Sequence, residues 1–454
     1  MDKTTEYNLE WRLFEDQSGR SLDWSIFEQT TLGKLYSTIP FQALASLLPA
    51  KTTNVGSKAR FSNEGGIALQ ILKHYYKMSD EKLIEQLNHN WVMQYFCGIR
   101  LSMSEQIKDS DVVSRWRKFI GEHLSINLAQ YALAKAWKKD MTQTKSNLSD
   151  ATCYESYIRY PTDAKLLWES VDYLWRNLRQ LSRFLKVPMF RSKYTDVQKA
   201  YLNFSKKKRK THKQRKAIKR RLLHLLNKLL GQAPLLIGIW KRNPVFSHQK
   251  PVKANFFGRL KTIKQVYGQQ DILFKNPTQR MPDRIVSLFK PYLHPIVRGK
   301  ENKRVEFGMK AHEMQVDGIN FLEFGSFQAF HEGNRLKSAV RLHQVFFGSC
   351  QHFGGDRIYA NNRNRKYCTK QQIYTCFAPK GRKAKDEKQR AILRKEIAKQ
   401  RATQLEGSFG NKKNHYLLDK IKARTEPTEI AWIFFGSLTA NAVAMVKKAK
   451  PPPQ

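Results

Sequence analysis

The stretch NLSDATCYESYIRY, residues 147–160, is rich in Thr, Tyr, Ile and Cys and stops at Pro161–Thr162–Asp163. Such side chains favour extended backbone and proline ends it, so the stretch reads as a strand. Alternation along a strand puts Asp150, Thr152, Tyr154 and Ser156 on one face. Working outward, a helix bearing Leu166, Leu167 and Trp168 follows. Residues 304–324, RVEFGMKAHEMQVDGINFLEF, alternate Val305, Phe307 and Met309 with Glu306, Gly308 and Lys310. Asp317–Gly318 is a favoured two-residue turn, so this segment reads as a hairpin. Helical spacing returns from Ser326 to Phe347, and a long helix runs from Asp386 to about Leu405, with Glu406 at its end or within it. The chain from Ile430 is one more apolar helix with a Pro-rich tail. Strand, helical insert, hairpin and helix together predict an α/β chain.

Upstream, residues 61–140 read as helices. Ile67, Ile71, Leu72 and Tyr75 recur at helical spacing, with a break at Lys77–Met78. Ser79 can cap a second helix, with Asp80 and Glu81 in its first turn and Leu83, Ile84 and Leu87 on its apolar face. A third starts near Asp109–Ser110 and carries Val112, Val113, Trp116 and Phe119. A helix-turn-helix-like DNA reader and a plain helical bundle both fit this pattern.

The chain has 454 residues, 41% hydrophobic and 12% aromatic, enough for real cores. Its 82 Lys+Arg outnumber 38 Asp+Glu, for a net charge of +44. That excess calls for a polyanionic partner, and nucleic acid fits better than a membrane. No uninterrupted apolar run of roughly 18 residues predicts a spanning helix, and the charged opening MDKTTEYNLEWRLFED is not a signal peptide. Five cysteines, an odd count, read as reduced thiols in a cytoplasm. Residues 1–60 are neutral, with seven bases and seven acids, whereas eleven of the sixteen residues from Lys206 to Arg221 are basic and none is acidic. Charges at that density repel unless phosphates neutralise them, which makes Lys207, Lys208 and Arg209 candidates for DNA contact. The leucines 222–230 after them read as core.

The chain has no P-loop, G-x-G-x-x-G, H-E-x-x-H or G-x-S-x-G. Cys350, His352, Cys368 and Cys376 lack paired zinc spacing and read as buried thiols. Three carboxylates remain. Asp150 points off the first strand, Asp356 follows Gly354–Gly355, and Glu406 precedes Gly407. Phosphodiester chemistry needs cations on the phosphate and a hard divalent metal, which takes carboxylate oxygens. Two carboxylates about 4 Å apart repel by about 4 kcal/mol at an effective dielectric of 20, and a metal reverses that sign. Acids gathered in so basic a protein make sense as a metal cage facing DNA, with Arg357, Arg363 and Arg365 clamping the strand.

SDATCYESYIRYPTDAKLLWES, HPIVRGKENKRVEFGMKAH, GGDRIYANNRNRKYC and LEGSFGNKKNHYLLDKIKART, with FSNEGGIALQILKHYYKMSDEKLIEQL before them, resemble a bacterial insertion-sequence transposase with a DDE triad. The resemblance implies a ribonuclease-H-like mixed sheet flanked by helices, with a helical N-terminal domain and a helical basic insertion. The expected boundaries are 1–60 for an N-terminal segment, 61–145 for a DNA-binding domain, 146–440 for a catalytic domain interrupted at about 170–300, and 441–454 for a tail. Asp150, Asp356 and Glu406 become the triad holding two Mg²⁺ (or Mn²⁺) ions. A homodimer would cut at terminal inverted repeats and join the freed 3′-hydroxyl to target DNA, in the nucleoid of a bacterial cytoplasm, with no membrane partner. Lys413 lies seven residues after Glu406, two turns on if the helix continues, although Gly407 and Gly410 weaken that helix. The family often has an arginine four residues before the glutamate. That position is Ala402 here and Arg401 comes one residue earlier, which argues against a clamp role for Arg401. A catalytically inactive DNA-binding protein and another ribonuclease-H-like nuclease are the alternatives.

Overall fold

A computed structural model describes residues 22–50, 60–102, 104–242, 248–249, 251–297, 305–381 and 386–449. Two parts of the expected N-terminal segment (1–21 and 51–59) and the Pro-rich tail (450–454) lie outside those residues. The chain divides into two compact units. One comprises residues 1–157, 309–326 and 330–454, the other 158–308 and 327–329.

The first unit is built on a mixed sheet. Its strands are β1 (Ser146–Ser156), β4 (Gly308–Val316), β5 (Ile319–Ser326), β6 (His352–Gly354), β7 (Tyr374–Thr375) and β8 (Lys420–Ile421). The order is β5-β4-β1-β6-β7, and β8 pairs with the far end of β1. β4 and β5 form the expected antiparallel hairpin, with Val316 opposite Ile319. Asp317 and Gly318 turn it with φ of 50° and 79°, the left-handed pair this turn requires. β6 and β8 both run parallel to β1. β1 stops at Ser156, short of the expected Tyr160, where Tyr157 N–H still donates to Ile421 O.

The shared face of β1 is polar yet buried. Thr152, Tyr154 and Ser156 are all under 5% exposed, at 4%, 0% and 2%. Each meets a charged side chain further along the chain. Lys413 Nζ donates to Thr152, the Tyr154 hydroxyl donates to Glu313, and Ser156 donates to Glu429. Buried polar groups must find such partners, so this face fixes what packs on it.

Helices Asn63–Tyr76, Asp80–His89 and Asp111–His123 match the upstream reading. Lys77, left-handed at φ 55°, ends the first, and Ser79 caps the second by accepting Lys82 N–H. Leu83, Ile84, Leu87, Val113 and Trp116 are buried. They share one core with Met314, Val316 and Phe321 of the hairpin and with Phe434, Phe435 and Leu438 of the helix Glu426–Lys448. A polar seam runs through that packing. Arg117 donates to Gln70 and Asp80 at 3.0 Å each, Lys73 lies 2.6 Å from Asp80, and both cations sit over the Trp432 ring.

The second unit is mainly helical, with helices Asp163–Phe184, Tyr194–Lys206, His212–Arg242 and Phe256–Lys275 and a short pair of strands, β2 (Ile296–Val297) and β3 (Val305–Glu306). Leu222, Leu225, Leu226 and Leu229 pack against Leu167, Leu174 and Leu178, so the leucine stripe is core. Burying each such side chain is worth roughly 1.5–3 kcal/mol. The basic run does not form one helix face. Lys207–Thr211 is a break between two helices, and Lys207, Lys208 and Arg209 are exposed on it. His212–Arg242 and Glu426–Lys448 each contain an 18-residue window apolar enough to cross a bilayer, although neither window is an uninterrupted apolar run. Both helices bury apolar residues in cores, although Leu235 and Ile239 of the first are exposed.

Candidate active site

β1 and β6 pair in parallel, with Leu148 opposite Gly354. Asp150 and Asp356 each lie two residues beyond that pair, so Asp150, in the middle of β1, sits beside Asp356, just past the end of β6. Neighbouring strands are about 4.8 Å apart, which brings the two carboxylates into mutual electrostatic reach. The two glycines before Asp356 have steric reasons. A Cβ on Gly354 would stand 2.7 Å from Leu148 and 2.8 Å from Ile397, and one on Gly355 would stand 2.8 Å from the Tyr359 ring. The Gly355 carbonyl also accepts from the Cys376 thiol. Asp356 then caps a single turn, Arg357–Tyr359, by accepting Ile358 N–H at 2.9 Å.

Beneath that turn lies a buried chain. The Tyr359 hydroxyl is 2.7 Å from His312 Nε2, His312 Nδ1 is 2.9 Å from Glu323, and Arg335 forks onto Glu323. It anchors the segment after Asp356 to β4 and β5.

The third acid arrives on a helix. Glu387–Gln400 runs through a π-helical turn, Arg401–Leu405, into Glu406–His415. The helix is unbroken at Gly407 and Gly410. The π turn carries one residue more than an α turn. It therefore swings Arg401 onto the face of Glu406 despite their five-residue spacing. One Arg401 nitrogen lies 2.8 Å from Asp150 Oδ2 and 3.2 Å from Glu406 Oε1, so the two acids face each other across a single guanidinium. Lys413, two turns on, shares that side of the helix but is half-buried and donates to Thr152 at 2.9 Å.

Burial raises the Asp150 pKa to about 6, against the Ala151 N–H and Arg401, which pull it down; Glu332 and Asp356 add to the rise. Glu332, a fourth carboxylate with no signal in the sequence, is paired with Lys310 at 2.7 Å. Arg357, next to Asp356 in the chain, and Arg363, in the helix Asn362–Lys370, are exposed. Arg365 instead bonds Ala360 O at 3.0 Å and stacks over Phe377, an internal engagement. Lys207, Lys208 and Arg209 belong to the other unit. The cysteines are free, and burial pushes the Cys350 thiol up to about 12 and Cys368 to about 11.

Hard carboxylate oxygens suit Mg²⁺ or Mn²⁺. Among the described residues, no three His, Cys, Asp or Glu side chains are gathered as a ready-made ion cage. Asp150 and Glu406 are nonetheless already drawn around one positive nitrogen, a stand-in for a cation, so the donor set fits such an ion.

Residues 354–442, from Gly354 through Asp356 and Glu406 into the last helix, match the transposase DDE domain, and residues 20–119 match a transposase domain (DUF772). Both matches support a DDE transposase of an insertion sequence. No curated protein and no solved structure matches the chain. The DDE match begins after Asp150 and does not cover it.

Proposed function

We propose that the mixed sheet is a ribonuclease-H-like catalytic domain on which Asp150, Asp356 and Glu406 act as the DDE triad, cutting and joining DNA with two Mg²⁺ or Mn²⁺ ions. The observation that carries this reading is the pairing of Leu148 with Gly354, which sets two of the acids side by side, with Glu406 opposite Asp150 across Arg401. Held by these carboxylates, divalent ions supply activation of the attacking oxygen and charge relief at the leaving oxygen. The remaining work belongs to the chain. Asp356, whose Oδ1 accepts Ile358 N–H, would offer its other oxygen to an ion. Arg357 and Arg363 hold the strand's phosphates beside it. Water displaces the 3′-oxygen at an element end and leaves a 5′-phosphate, and the freed 3′-hydroxyl then displaces a 3′-oxygen in target DNA. No covalent protein–DNA bond is required, so none of the 18 tyrosines is a nucleophile.

The helical residues 61–145 and the basic insertion at about 170–300, including Lys207, Lys208 and Arg209, would bind the terminal inverted repeats. A homodimer would bring two element ends together in the bacterial nucleoid. Asp356→Asn tests the reading on a labelled element end. It is expected to keep repeat binding and to lose cleavage in Mg²⁺, and cleavage at the wild-type rate would remove Asp356 from the site.

A further inference from the structure

We infer that Arg401 is an internal stand-in for the divalent ion, holding Asp150 and Glu406 in register until a metal takes their oxygens and releases the guanidinium to a DNA phosphate. The inference rests on the reading of these acids as metal ligands and adds a competition between the metal and a residue of the chain itself.

Three observations carry it. First, Asp150 has one oxygen already engaged, since Oδ1 accepts Ala151 N–H at 2.7 Å. The oxygen left for a ligand is Oδ2, and that is the one Arg401 holds at 2.8 Å. A divalent ion on that oxygen would repel the guanidinium at the same position, so the two compete for it. Secondly, the same Arg401 nitrogen reaches Glu406 at 3.2 Å, so arrival of an ion between the acids breaks both contacts together. Thirdly, Arg401 owes its position to the π turn, Arg401–Leu405, in an otherwise α-helical run. Such turns interrupt the regular ladder and recur at functional sites. The Arg401 side chain is 20% exposed and Glu406 is 54% exposed, so a path outward to a strand lying over the acids is open.

The arrangement has a functional consequence. Without metal the acids are neutralised locally and the site keeps its shape. With metal, a fork-shaped cation suited to phosphate is freed beside the reacting strand. Metal and DNA then favour each other's binding, and by linkage the factor is the same in both directions.

The test is calorimetric titration of Mn²⁺ alone into the full chain, comparing wild type, Arg401→Gln, Arg401→Lys and Asp356→Asn. Arg401→Gln removes the competitor and is expected to bind Mn²⁺ roughly tenfold more tightly, the factor that about 1.4 kcal/mol supplies. Its melting temperature without metal falls, and saturating Mn²⁺ raises it by more than in wild type. Arg401→Lys keeps the charge without the fork and falls between the two. It answers the same question if the glutamine variant does not fold. Unchanged or weaker Mn²⁺ binding in the Arg401 variants overturns the competition and makes the arginine a support for the ion. Wild-type Mn²⁺ binding by Asp356→Asn overturns the metal-site reading instead, and the two failures are therefore distinct.

Discussion

Lys412 and Lys413 are neighbours with opposite fates, and the first offers a sharp test of what holds the catalytic sheet together. The Lys412 side chain is 1% exposed and is paired with Glu313, itself 2% exposed. Burial pushes the Lys412 ammonium towards neutrality and Glu313 pulls it back. Glu313 also accepts from the Tyr154 hydroxyl and from Asn320, which reaches on to Ser408. Lys412→Met preserves the length and apolar stem of the side chain but leaves the buried Glu313 carboxyl without its cation. Breaking a buried pair in this way costs about 3–5 kcal/mol. Adding Glu313→Gln removes the stranded carboxyl and still offers Tyr154 an acceptor. The double variant should therefore recover about 2 kcal/mol or more relative to Lys412→Met, a coupling typical of residues in direct contact. Because the chain has two compact units, one unfolding midpoint does not isolate the sheet. Hydrogen exchange of the β1 and β4 amides, read alongside urea unfolding, reports that unit by itself. A loss below about 1 kcal/mol for Lys412→Met, or additivity in the cycle, would refute the idea that this pair is closed to water.

Deleting Ala402 turns the five-residue spacing of Arg401 and Glu406 into four, about one α-helical turn. Arg401 then still faces Glu406, Ile397 still meets Leu148, and the melting temperature is expected to hold or rise; collapse of the fold would show that the π turn itself is needed. His74 is fully buried with its Nδ1 2.8 Å from Gln70 O, and burial pushes its pKa down to about 3. The unfolded chain takes up that proton near pH 6.5, so this stabilisation is complete above 6.5 and is lost as pH falls towards 3, by up to about 5 kcal/mol. His74→Gln should flatten that acid limb in unfolding experiments, and an unaltered limb would place its cause elsewhere. Neutralising Lys207, Lys208 and Arg209 should lower the salt dependence of DNA binding by about 0.9 in slope for each phosphate that the variant no longer neutralises. An unchanged slope would leave them as a solvated loop.

Local pattern was enough for much of this architecture. Alternation marked β1 and the β4–β5 hairpin, and Asp317–Gly318 set its turn, because side-chain period and turn geometry are properties of a few consecutive residues. The Ser79 cap and the leucines of residues 222–230 were legible for the same reason. Charge balance pointed to a polyanion, because net charge needs no coordinates. The strand length was overread, since Tyr157–Tyr160 has strand-like residues but leaves the sheet after the β8 pairing ends. The contact of Arg401 with Asp150 and Glu406 was not legible because a π turn has no reliable mark in the residues that form it. Lys412 and Lys413 are chemically identical in sequence, and only the helix's packing on the sheet sends one to Glu313 and the other to Thr152. Composition and periodicity thus determined that strands and helices would form in a strongly basic chain. Which oxygen of Asp150 is open, which cation holds it and which acids share the field were decided by tertiary structure, because burial and through-space charge depend on residues distant along the chain.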